Sequence, residues 1–227
     1  MKFIVAVALT VGVVVAVHAG PAESGRASVS ARDTLEHFLH GARPTLTSYR
    51  AYRRLEASTL GGGMQASLDA WTYVDHGRFG FDIVREEGSS VIRDHVLRKA
   101  LQTEQQNFND GETGQVELTT ANYTFTVSAP SGDLVTMGLE ARRQSPMLLN
   151  GTVTVTRADG DIVRIDGLLS QTPSWWTRRV EIARRYEAIG GVRVPVEMSS
   201  RADVRVVGDS NFRMTYQYAS INGRAVP

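Results

Sequence analysis

Val192-Arg193-Val194-Pro195-Val196-Glu197 and Phe212-Arg213-Met214-Thr215-Tyr216-Gln217-Tyr218 decide the fold. In each, apolar and polar residues alternate with period 2, the pattern of a strand with one face buried. The run Ile162-Val163-Arg164-Ile165-Asp166-Gly167 alternates in the same way. Turn signals separate these runs: Asn150-Gly151, Ala158-Asp159-Gly160-Asp161, Gly190-Gly191, Gly208-Asp209-Ser210 and Asn222-Gly223. Residues 148–226 therefore read as an antiparallel sheet folded back on itself. Every strand in it carries one apolar face that another element must cover.

Working outward, residues 46–84 give three more strands. Tyr49, Tyr52 and Leu55 stand among arginines. Gly61-Gly62-Gly63 is a loop. Met64, Ala66, Leu68 and Ala70 then alternate with Gln65, Ser67 and Asp69. Asp75-His76-Gly77 turns the chain into Phe79, Phe81 and Ile83, which share a face. Further strands are expected at 118–127 and 134–143, separated by the turn at 130–133. Trp175-Trp176, in the segment between two strands, cannot both face the core of one strand; one is expected at a rim unless a bulge tucks both inward.

Two helices interrupt the strands. The first is expected near 34–39, capped by Ser30 or Asp33, with Leu35, Phe38 and Leu39 as its apolar stripe and Gly41 and Pro44 at its end. His37 and His40 beside Glu36 have a spacing that can hold a metal, but no third ligand accompanies them, so a solvated face is the expectation. The second helix is expected over 91–107, with Ser89 or Ser90 as N-cap. Ile92, Val96, Leu97, Ala100, Leu101 and Phe108 cluster on one face at 100° per residue, and Arg93 and Glu104 fall in the middle of that face. Buried charges require partners. Either these two sit at the rim or pair with the sheet, or they contact a ligand.

The 227 residues carry a net charge of +1, which speaks against nucleic acid as the main partner, and no cysteine, which removes disulfides and thiolate chemistry. Lys2, the apolar run 3–17 and Val17-His18-Ala19 make an export signal cleaved after Ala19, followed by a flexible leader at 20–29 and one domain at 30–227. The apolar run is shorter than the roughly 20 residues of a membrane span. A soluble, periplasmic protein without a membrane segment after cleavage is the expectation.

The pattern Tyr186-Glu187-Ala188-Ile189-Gly190-Gly191-Val192-Arg193-Val194-Pro195, the Gly160–Gly167 hairpin and the late turn Ile221-Asn222 resemble the LolA/LolB-like superfamily of periplasmic lipoprotein-carrier and sorting proteins. Without an acylated cysteine, the chain is more similar to LolA than to LolB. The resemblance implies an α+β fold, mainly antiparallel: a strongly curved half-barrel sheet with helices covering its concave side. It also implies a site in which the sheet aromatics Trp71, Tyr73, Phe79 and Phe81 line a wall. Arg93, Leu97 and Glu104 of the second helix would lie over that wall, with Trp175 and Trp176 at the mouth. Met64, Met137 and Met214 are candidates for adaptable lining.

The chain contains no G-x-S-x-G elbow, no H-E-x-x-H and no phosphate loop. No catalytic residue, metal or cofactor is assigned. The expectation is a monomeric, non-catalytic carrier for an acyl chain, a lipid or a lipidated protein. A protein-interaction or envelope-stress sensor module is the second reading, and a small enzyme on the same fold the third.

Overall fold

Two antiparallel meanders, joined side by side, make a single open sheet. The computed structural model describes residues 30–59, 63–111, 117–175, 177–204 and 208–227. The expected export segment and leader, Trp176 and parts of the expected loops at 60–62 and 112–116 lie outside them. The first meander contains β1 (Tyr49–Thr59), β2 (Gln65–Asp75) and β3 (Arg78–Gly88). The second runs through β4 (Tyr123–Val127), β5 (Leu134–Ala141), β6 (Leu149–Thr156), β7 (Ile162–Leu169), β8 (Thr177–Ile189), β9 (Val192–Val204) and β10 (Gly208–Ile221). A short β11 (Arg224–Ala225) pairs with β10. The order is β3-β2-β1-β10-β9-β8-β7-β6-β5-β4, so β1 and β10 close the join while, among the described residues, β3 and β4 remain as free edges. The α+β, mainly antiparallel expectation is borne out, and the sheet does not close into a barrel.

Alternation fixes the faces. Leu55 lies opposite Met214, Ala51 opposite Tyr218 and Ala57 opposite Phe212, all on the apolar side. Arg54, Glu56 and Arg213 take the other side. Two expected turns are not turns. Gly208-Asp209-Ser210 opens β10 and pairs with β9. Asn150-Gly151 lies inside β6, where Gly151 faces Gly167 of β7. A Cβ on Gly151 would stand 2.0 Å from the Asp166 carbonyl oxygen. Glycine is there for a close backbone approach, and Asn150 uses its Oδ1 to accept from the Ala141 N–H at 2.8 Å.

The helices cover the apolar face in two places. Helix α1 (Ala31–His40) begins with a capping box between Ser30 and Asp33. Thr34 donates to the Arg157 carbonyl at 2.9 Å, and His37 Nδ1 lies 3.0 Å from the Ala158 carbonyl. Its Phe38 enters a core with Tyr123, Met137, Val153 and Ile165. Helix α2 is continuous through Ser90–Ile92, a π-helical turn at Arg93–Leu97 and Arg98–Asn109. It buries Ile92, Leu97, Ala100 and Leu101 against Leu55, Leu68, Met198 and Met214. Among the described residues, no helix is long and apolar enough to cross a membrane.

The Ile221-Asn222 turn has a physical role. Asn222, at a positive φ of 49°, accepts from the Thr47 and Ser48 N–H groups at 2.8 and 3.2 Å and donates to the Thr45 carbonyl at 2.8 Å. One side chain thereby ties the end of β10 to the segment entering β1.

Candidate functional site

The chemistry of the apolar face gathers around Arg53. Along β1 the inward set is Tyr49, Ala51, Arg53, Leu55 and Ala57, so a guanidinium occupies a core position and is 2% exposed. Glu104 of α2, 8% exposed, meets it. Arg53 Nη1 lies 2.5 Å from Glu104 Oε2, and Nη2 lies 3.2 Å from Oε1, a bidentate pair. Nη2 also donates to the Tyr49 hydroxyl at 2.6 Å. The guanidinium carbon stands 4.5 Å from the Tyr216 ring centroid and 5.4 Å from that of Phe79. Arg53 Nε has no hydrogen-bond partner.

The electrostatics follow from burial. Desolvation opposes the charge on Arg53, but Glu104 and Tyr49 outweigh it and hold the guanidinium protonated. Burial drives the phenols of Tyr49, Tyr216 and Tyr218 above the ordinary tyrosine range. A second inward arginine, Arg184 of β8, is 8% exposed and donates to Met198 Sδ at 3.6 Å. Burial would lower its affinity for a proton, yet Tyr186, Tyr216 and Glu104 raise it.

The expected site residues divide. Phe79, Leu97, Glu104 and Met214 come together on the apolar face around Arg53, and Phe81 packs at the border of two of its clusters. Arg93, on the π turn, is half-buried, with its Nε buried and without a hydrogen-bond partner. Arg93 and Glu104 do not share a partner; only Glu104 joins the pair. Trp71 and Tyr73 are on the opposite, polar face, because Leu68, Ala70, Thr72 and Val74 hold the apolar phase of β2. There Trp71 packs edge-on to Tyr52 at 5.4 Å under the Arg50 guanidinium, and the Tyr73 ring lies over Gly80. Trp175 is 65% exposed, in the link between β7 and β8, while Trp176 lies outside the described residues. Met137 is buried under α1, and Met64, just before β2, is 38% exposed.

Sequence reasoning missed Arg53. The signal was its phase: it falls in step with Tyr49, Ala51, Leu55 and Ala57, whereas Arg50 and Arg54 fall on the other face.

The space under α2 is filled by Leu97, Ala100, Leu101, Met198 and Met214. An open groove of about 1040 Å³ lies instead on the polar face, lined by Arg54, Glu56, Glu87, Asp166, Arg179, Glu181, Arg201 and Arg213 among others. Its charges are interleaved, as in the pairs Arg54–Glu56 and Arg179–Glu181.

No protein-family model and no curated protein matches the chain. Among the solved structures similar to it are two of low sequence identity. One is a LolA superfamily protein from Nitrosomonas europaea, 11% identical over 88% of this chain and 96% of that chain, with a TM-score of 0.37. The other is a DUF1329 family protein from Desulfovibrio piger, 10% identical over 82% of this chain and 88% of that chain, with a TM-score of 0.38. His37 and His40 gather no further ligand: among the described residues, no cluster of three histidine or acidic side chains can hold a metal ion.

Proposed function

We propose that this chain is an exported, periplasmic binding protein that takes an acyl chain, of a lipid or a lipidated protein, between α2 and the apolar face of the sheet. The single observation that carries this reading is the buried Arg53–Glu104 pair. Apolar contacts alone let a helix slide or lift in many registers. A buried bidentate pair adds little net stability but fixes one register. Helix α2 is thus held closed by a contact that a competing anion can replace.

When α2 lifts, Arg53, Tyr49, Phe79 and Tyr216 stay on the sheet. They offer a cationic, aromatic-lined seat for an acidic head group, and Met198 and Met214 offer adaptable walls for the chain behind it. The π turn at Arg93–Leu97 gives α2 a place to bend, since such turns are irregularities in the helical ladder.

The test is native mass spectrometry of protein recovered from the periplasmic fraction, beside titration with a fluorescent NBD-labelled palmitate. Copurified lipid and saturable binding of the probe, with a mature N-terminus at Gly20, are the expected results. Ligand-free protein that does not take up the probe overturns the carrier reading, and copurification of a stoichiometric protein partner favours an interaction module. A retained Met1 overturns export by cleavage.

A further inference from the structure

The free edge formed by β3 carries a self-complementary sequence. β3 has β2 on one side and, among the described residues, no strand on the other. At its start the edge is blocked: Phe79 N–H donates to Asn109 Oδ1 at 2.9 Å, and Asn109 Nδ2 donates to the Phe79 carbonyl at 3.3 Å. The asparagine amide thus bonds Phe79 as a neighbouring strand would. Beyond it the edge is open, and residues 82–85 are all exposed. Ile83 and Val84 are 39% and 56% exposed, two of the few large apolar side chains left in solvent.

These four residues are Asp82-Ile83-Val84-Arg85. Read antiparallel against a second copy, with the two-fold between 83 and 84, they pair acid with base and apolar with apolar: Asp82 with Arg85 and Ile83 with Val84, each twice. In a regular strand, residues three apart point to opposite faces, and this register would fail. A bulge removes that obstacle. Ala70 pairs with Ile83 but Asp69 pairs with Arg85, so Val84 is the extra residue. Asp82, opposite Trp71, and Arg85, opposite Asp69, therefore share the polar face. Asp82 makes no ion pair among the described residues, and the only ion pair of Arg85 there is to Glu87 two positions along the same strand, with both side chains more than half exposed. Such an exposed pair is weak and is readily exchanged.

We propose that this edge is the interface of a two-fold dimer, in which β3 of one copy pairs antiparallel with β3 of another through residues 82–85. The partner is a second copy of this chain, because the stretch complements itself in charge and in apolar content. Pairing would cover Ile83 and Val84, join two open sheets into one and remove the free edge that otherwise invites unspecific association. It replaces the expectation of a monomer and is independent of what α2 covers.

The experiment is sedimentation velocity on the whole protein over a concentration series, with far-UV circular dichroism to confirm folding. The wild type should dimerise. Asp82→Arg and Arg85→Asp each set like charges against one another at both contacts of the homodimer and should weaken it on the order of tenfold or more. Mixed in equal amounts, the two variants should form a heterodimer, since a copy with arginine at both positions then faces a copy with aspartate at both. The double variant Asp82→Arg/Arg85→Asp should recover the homodimer. A wild type that stays monomeric throughout, or a mixture of the two variants no more associated than each alone, overturns the proposal. A wild-type dimer that both single variants leave intact overturns it equally, by placing the interface elsewhere.

Discussion

Replacing Glu104 by glutamine should destabilise the protein far more than loss of an ordinary surface charge. The substitution keeps the shape of the side chain and removes its charge, leaving Arg53 2% exposed with no carboxylate in contact. With charge centres about 4 Å apart and an effective dielectric near 20, the lost attraction is about 4 kcal/mol. One of the two guanidinium contacts, at 2.5 and 3.2 Å, would also meet an amide N–H₂ in place of an oxygen acceptor. Removing one partner of a buried pair costs about 3–5 kcal/mol, which agrees. For a chain of this size the melting temperature should fall by roughly 6–20 °C. The double variant Arg53→Met/Glu104→Leu removes the desolvation cost of both ions and should be at least as stable as wild type, or more stable by about 1–4 kcal/mol. Urea and thermal unfolding, followed by circular dichroism, measure both. A loss of under about 1 kcal/mol for Glu104→Gln is the behaviour of an exposed pair and would refute the argument that α2 is held by a buried one.

Two further outcomes follow from the same structure. Stability should fall as the pH rises above about 10, the value for a free phenol. Burial raises the folded-state pKa values of Tyr49, Tyr216 and Tyr218, so the unfolded chain loses these protons first and alkali favours unfolding, by up to about 1.4 kcal/mol per pH unit for each. Melting temperatures across alkaline buffers, with ultraviolet titration of tyrosinate, check this; free titration of all the tyrosines in the folded protein would contradict it. Gly160→Ala should loosen α1, because φ is +66° there and an added Cβ would stand 2.5 Å from the Phe38 backbone nitrogen. The left-handed backbone alone costs about 1–2 kcal/mol, and hydrogen exchange should show α1 opening before α2; unchanged protection of α1 would contradict the close packing.

The sequence by itself determined what depends on near neighbours. The strands β9 and β10 were legible because alternation is a local property: Val192, Val194 and Val196, and Phe212, Met214, Tyr216 and Tyr218, each hold one phase over several residues. The Ser30 cap and the apolar face of α2 were legible for the same reason. Asn150-Gly151 misled because a local turn signal cannot tell a turn from a place where two backbones must come close, and only the pairing with Gly167 distinguishes them. Trp71 and Tyr73 were assigned to the site as aromatics, although the phase of Leu68, Ala70 and Val74 already placed them on the other face. Helix α2 was expected to be regular, and its π turn at Arg93–Leu97 became visible only in the folded chain. The Arg53–Glu104 pair joins residues 51 positions apart, and no periodicity in either segment names the other as its partner. That choice is made where β1 and α2 meet, because a charge on each apolar face can be buried there only against the other.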